Sequence, residues 1–225
     1  MLSGLPSYVI ITFLLAAVLT CQLFISAVKN KSIPGIILFI WLTITAILSY
    51  TGFYAVTSIP PRFLLAVVPP LVFILLFVFS KKGKAFSGTL NLRTLTLLHI
   101  VRIPVELVLY WLAIHKYVPG LMTFEGRNFD IISGITAPLM YFVCFAGEQV
   151  KNRALLLIWN FICLGLLLNI VVNAALSVPS PVQQFAFNQP NIAVLHFPFV
   201  WLPAFIVMIV LYSHLVAIQR LQKKK

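Results

Sequence analysis

The segment LHIVRIPVELVLYW places His99, Arg102, Glu106 and Tyr110 at steps of three, four and four, which lines them along one face of a helix. That face is polar in the middle of an apolar run. A charged side chain near the centre of a bilayer costs about 2.5 to 3.5 kcal/mol on insertion scales, so it is normally paired, wet or functional. The chemistry open to such a face is the binding of a small solute or ion, or the holding of a proton. The plainer alternative is an Arg102 to Glu106 bridge that neutralises itself, with Arg102 also able to extend toward headgroups. Pro104 lies between the two charges and frees the carbonyl of Ile100, so a local distortion is expected where the charges sit.

Other polar groups are placed less sharply. Gly165, Asn169 and Asn173 recur at four-residue steps and share a face that fits either interhelical packing or the pocket of Glu106. Asn160 points elsewhere and reads as a local contact, and Thr45, Ser49 and Gly52 read as a packing seam. The connection MTFEGRNFD carries Glu125, Arg127, Asn128 and Asp130 between aromatic residues, as a mixed-charge cluster at the membrane surface. The connection 177–196 includes FAFNQPN and contains no Asp, Glu, Lys or Arg, so it is expected to fold back over the helices as a lid.

The elements that must hold these groups are membrane helices. Apolar residues make up 61% of the chain and charged ones 9%, far below the roughly 25% of a soluble domain. Apolar runs at 8–28, 33–56, 63–80, 95–117, 131–147, 154–176 and 197–218 are each long enough to cross the hydrocarbon, which predicts an all-α bundle of seven transmembrane helices in a single domain, 1–225. The net charge of +12 does not point to nucleic acid, because of where it lies. Lys29, Lys31, Lys81, Lys82, Lys84, Arg93, Lys151, Arg153, Arg220 and Lys223 to Lys225 fall on one side of a seven-span arrangement, and only Arg62, Lys116 and Arg127 fall on the other. That asymmetry predicts an N-terminus outside and a C-terminus in the cytoplasm, with the basic tail against anionic lipids. The first run lacks a basic segment before it and reads as a retained span, not a signal peptide. Cys21, Cys144 and Cys163 lie in spans and suggest no disulfide framework or metal site; no cofactor is implied. Pro69, Pro70, Pro104, Pro138 and Pro203 fall inside runs and predict interrupted helices around an internal cavity. Phe63 and Pro69 recur in offset as Phe197 and Pro203, a faint sign of a three-plus-one-plus-three repeat.

The phrases MTFEGRNFD and WNFICLGLLLNIVVNAAL resemble segments of an uncharacterised group of bacterial seven-span proteins, and the resemblance implies a bacterial inner-membrane location without any activity. A retinal protein is excluded, since the last run has no lysine for a Schiff base. His99 and His115 lie near the two ends of the fourth run, and His196 and His214 near those of the seventh. Were these helices neighbours, His99 with His214 and His115 with His196 would offer two bis-histidine haem or metal sites. A membrane enzyme using Glu106 or Asp130 as acid or base lacks any HExxH, GxSxG or paired-carboxylate motif, so an enzyme is the less favoured reading. An accessory or assembly subunit is a further alternative. The favoured expectation is a transporter or receptor for a small solute or ion, opening outward onto Glu106 and Arg102.

Overall fold

Backbone N–H and C=O groups have no water to bond in hydrocarbon, so a chain this apolar must satisfy them internally, and it does so as helices. The computed structural model describes Leu2, residues 4–56 and residues 58–223. Its helices are α1 (Ser7–Ala27), α2 (Ser32–Tyr50), α3 (Leu64–Phe79), α4 (Lys81–Thr89), α5 (Leu92–Leu98), α6 (Arg102–Ile114), α7 (Ile131–Val143), α8 (Arg153–Ala175) and α9 (Val207–Gln222). A 3-10 turn, His99–Val101, joins α5 to α6, and a π turn, Leu202–Ile206, leads into α9. Large apolar side chains cover the outside of the bundle, among them Phe39, Leu76, Phe142 and Ile162. The chain is a multi-pass helical protein of the membrane.

The count of spans differs from the sequence expectation. Among the described residues five helices are long and apolar enough to cross a membrane: Ser7–Ala27, Ser32–Tyr50, Leu92–Ile114, Arg153–Ala175 and Leu202–Gln222. There are up to six if α3 and α4 form one broken span. The seven-helix bundle is therefore corrected, and the outside and cytoplasmic assignment built on seven crossings falls with it. Two runs account for the difference. The 63–80 run gives a helix that stops at Phe79, where the chain bends by 86° into the basic α4. Ser80 caps α4 by accepting from the Gly83 amide at 2.9 Å. The bend needs glycine at 83, because a Cβ there would lie 1.6 Å from the Phe77 carbonyl oxygen. The 131–147 run gives only the 13 residues of α7, about 20 Å of helix against roughly 30 Å of hydrocarbon. It stops at Val143, beyond which Phe145–Ala146 pairs with Gln149–Val150 in a short antiparallel hairpin.

Bonds between distant residues define two ends of the bundle. At the basic end the Asn91 amide donates to Ala27, Asn91 Nδ2 donates to Glu148, and Arg220 donates to the Leu90 carbonyl. Arg153 also donates to the carbonyls of Leu221 and Lys223 there. Of the tail expected to meet anionic lipid, Lys224 and Lys225 lie outside the described residues. At the loop end the 177–196 connection folds back over the helices. The amides of Ile192 and Ala193 donate to the Tyr117 carbonyl, Gln189 donates to those of Ala113 and Val118, and Ser49 donates to that of Leu195.

The last span runs through the middle of the bundle and most of its residues are buried, whereas α2 buries only Thr45 and Ser49. Two indoles hold α2 in place: Trp41 donates to the Ala204 carbonyl at 2.9 Å and Trp201 to the Leu42 carbonyl at 3.1 Å. The first of these satisfies an oxygen in the π turn around Pro203, where the helical ladder is widened.

Candidate functional site

α7 is short because it begins inside the bundle. Arg102 lies ten residues above the start of α5 and Cys163 ten residues above the start of α8, each about 15 Å from the basic end. Arg102 Nη1 donates to the Cys163 carbonyl at 3.3 Å and to Asp130 Oδ1 at 2.6 Å, so all three share one depth. Asp130 directly precedes α7. The chain from Pro119 to Asp130 thus descends from the loop end to mid-depth before α7 starts. Along that descent Asn169 of α8 holds the Arg127 carbonyl at 2.7 Å. Non-helical backbone at membrane depth is tolerated where protein covers it or water reaches it. A half-helix that starts at the midplane directs its N-terminal dipole there, and that end favours the Asp130 carboxylate. The close approach of α7 to α6 depends on Gly134, where a Cβ would lie 2.9 Å from Ile103 Cγ1 and 3.0 Å from the Ile103 nitrogen. Gly134→Ala is expected to push the helices apart and lower stability by about 1 to 3 kcal/mol, the usual cost of overpacking, readable as thermal unfolding in detergent.

Around Arg102 the sequence folds into a connected polar network. Pro104 falls in the first turn of α6, where a missing N–H is tolerated, and the 3-10 turn His99–Val101 takes up the distortion just before it. This puts His99 and Arg102 on the inward side, both buried. Arg102 Nη2 lies 2.7 Å from His214 Nε2 on α9. A guanidinium can only donate, so Nε2 accepts and the imidazole is neutral with its proton on Nδ1. That proton meets Asn160 Oδ1 at 2.9 Å, and Asn160 Nδ2 donates onward to the Leu156 carbonyl at 2.8 Å. The chain thus runs donor to acceptor from Arg102 Nη2 to Leu156, while the buried Arg102 Nε and His99 Nδ1 have no hydrogen-bond partner. His99 stacks on His214 with centroids 4.0 Å apart and rings inclined by 22°, and Trp159 meets His99 edge-on.

Glu106 stands one turn above Arg102 yet does not pair with it. The one ion pair among the described residues is Arg102 to Asp130, so the expected bridge along a single helix is replaced by one between helices. The Glu106 carboxylate, 2% exposed, is held by Asn128, whose Nδ2 lies 2.7 Å from each carboxylate oxygen and 3.0 Å from the Met122 carbonyl. Asn128 Oδ1 accepts from the Asp130 amide at 3.0 Å, which fixes the orientation of its side chain. The buried cluster holds one cation, Arg102, beside two acidic side chains, Asp130 and Glu106, of which only Asp130 pairs with it, and a neutral His214.

Glu106 and Asp130 border a cavity of about 110 Å³ in the loop-end half of the bundle. Its walls are apolar, including Val105, Leu109, Leu167, Val171 and Pro203, and the 177–196 connection contributes Val178, Asn191 and Val194. Asn191 is buried, donates to the Ala174 carbonyl at 3.3 Å, and leaves its Oδ1 without a hydrogen-bond partner.

No family model, curated protein or solved structure matches the chain. With five or six candidate spans and no family match, the resemblance to a bacterial seven-span group is withdrawn, and the inner-membrane placement drawn from it loses its support. What stands is an integral membrane protein, argued from its own geometry.

The residues singled out in the sequence are distributed unevenly. Glu106, Arg102 and His99 converge inside the bundle. Tyr110 instead stacks on Phe124 at 5.0 Å, and Asn169 and Asn173 bond to each other and to the descending chain, away from the cavity wall. The MTFEGRNFD cluster divides: Glu125 and Arg127 are exposed, while Asn128 and Asp130 enter the core. His99 and His214 are neighbours, but no bond or ring contact joins His115 to His196 among the described residues. The stacked pair does not suit bis-histidine haem ligation, which needs two ring nitrogens facing one iron from opposite sides, and both nitrogens of His214 are already engaged. Asn160 and Asn191 were not expected in the site. A lone amide in an apolar run is the only signal for the first, and the second closes the FAFNQPN stretch, which reads as part of a lid and not as a site residue.

Proposed function

We propose that the whole chain, 1–225, works as one unit that binds a small solute or ion in the loop-end cavity, as a transporter or receptor. The observation that carries this reading is Glu106: a buried acidic side chain with no basic partner of its own, set in the wall of a cavity. Buried charges are ordinarily paired, and an unpaired one inside a membrane bundle is functional by default. Supporting features are the half-helix α7 beginning at the same depth, the π turn at Pro203 in the cavity wall, and the polar network that fixes Arg102 on the far side of Asp130. Irregular backbone of this kind is tolerated at membrane depth where it lines a cavity or is covered by protein.

The reading requires that water-soluble molecules reach the cavity. In a background lacking Cys21, Cys144 and Cys163, Val171→Cys is expected to react with a small methanethiosulfonate: the cysteine thiolate attacks the reagent's sulfenyl sulfur, a disulfide forms and methanesulfinate leaves, and because the thiolate forms in water the reaction reports water, not lipid. Full reaction of an exposed Gln184→Cys alongside a Val171→Cys that stays unreactive under every condition would show a sealed cavity and remove this function.

A further inference from the structure

We propose that the ligand of this cavity is a small organic cation, a primary ammonium carried on a short apolar body. The inference rests on the solute-binding reading above and adds the chemical class of the solute.

Among the described residues three polar side chains border the cavity, Glu106, Asp130 and Asn191, and each carries an oxygen acceptor. No Lys, Arg, His, Ser, Thr, Tyr or Trp among the described residues lines it. The Arg102 guanidinium is absent from the wall, its Nη atoms committed to Asp130, Cys163 and His214. The one amide donor in the wall, Asn191 Nδ2, is committed to the Ala174 carbonyl, while its buried Oδ1 has no partner. At Glu106 two amide hydrogens of Asn128 are shared among three acceptors, so the carboxylate is under-supplied with donors. The site is short of hydrogen-bond donors and of a cation to pair with Glu106. An ammonium group supplies both, with three N–H donors on a compact cation.

The alternatives fit less well. An anion would meet two carboxylates and no free donor. A neutral solute would leave Glu106 without a basic partner in an apolar pocket. Calcium takes about six to eight oxygen ligands and magnesium retains several waters, and these walls are apolar apart from three side chains. The size of the space limits the rest of the molecule. At 110 Å³ it is smaller than the roughly 150 Å³ engineered cavity that accepts benzene, so the apolar body is about four or five atoms long.

The test compares n-butylamine, charged at pH 7, with n-butanol and butyrate on the full-length protein in lipid nanodiscs, read as the shift in unfolding temperature against concentration. Ala174→Phe, which fills the cavity from α8, gives the baseline for partition of each probe into lipid. The amine is expected to give a saturable shift in the wild type that is absent in Ala174→Phe. Its affinity should fall tenfold or more in both Glu106→Gln and Asn191→Leu. Butanol should bind at least tenfold more weakly and butyrate not at all. Butanol or butyrate binding as tightly as the amine overturns the cation assignment while leaving a solute cavity in place, and so does amine binding indifferent to both polar substitutions. If no probe gives a saturable shift above the Ala174→Phe baseline, both the assignment and the solute reading fall. Should Glu106→Gln not fold, the three probes on the wild type and on Asn191→Leu decide the matter by themselves.

Discussion

Arg102→Met is expected to lower stability by about 3 to 5 kcal/mol, the range for breaking a buried ion pair by removing one partner, and Asp130→Asn in the same chain is expected to restore most of it. The single change strands the Asp130 carboxylate at mid-depth and takes away the donor to His214 Nε2 and to the Cys163 carbonyl. The double change removes the stranded charge and leaves neutral groups at both positions of the pair. The Arg102→Met, Glu106→Gln combination serves as the control. If the pairing ran along one helix, this second double change would rescue and the first would not. Because Arg102 Nη1 lies 2.6 Å from Asp130 Oδ1, the expected coupling is large for Asp130 and small for Glu106. Unfolding of the five variants in detergent, three single and two double, arranged as double-mutant cycles, gives both couplings. Equal rescue by the two partners would mean that the cluster shares its charge diffusely, and the case for an unpaired Glu106 would then collapse.

The pairing also marks where the sequence stopped being legible. Periodicity placed His99, Arg102 and Glu106 on one inward face, and the structure keeps them there, since a helix face is a local property. Their partners are not local. Asp130 and Asn128 lie in a stretch that looks like a surface loop, with Glu125, Arg127, Asn128 and Asp130 close together, and only tertiary structure separates the two that turn inward from the two that stay out. The same stretch explains the miscounted spans. A 17-residue apolar run at 131–147 has the composition of a full crossing. Composition is blind to depth, and here the first residue of α7 already stands level with Arg102. The run at 63–80 misled for a different reason: a capping serine and a close approach at Gly83 turn the chain by 86° where hydropathy alone permits it to go on. His214 entered the sequence reading as a redox ligand for His99. Their proximity is real, but hydrogen-bond chemistry gives His214 another part, as a neutral acceptor that holds Arg102 toward Asp130.

The second large effect is expected at Asn128. Asn128→Leu takes from a buried carboxylate its hydrogen-bonding side chain, and with bonds to charged groups worth about 1.5 to 3 kcal/mol each, a loss of about 3 kcal/mol or more is expected. The change also removes the acceptor for the Asp130 amide and the donor to the Met122 carbonyl, so the descent of the chain into the bundle loosens with it. Glu106→Gln should behave in the opposite way. Its side chain has nearly the same volume, its amide oxygen still accepts from Asn128, and the uncompensated charge is gone, so stability should stay within about 1 kcal/mol of the wild type or rise. Placing Glu106→Gln in the Asn128→Leu background should recover a substantial part of the loss, because the group left exposed to hydrocarbon is then neutral. The pattern separates a carboxylate kept for function from one kept for the fold. If Glu106→Gln alone costs as much as Asn128→Leu, the charge is itself a structural element. The cavity would then border a packing contact, and the argument that Glu106 waits for a cation would lose its footing.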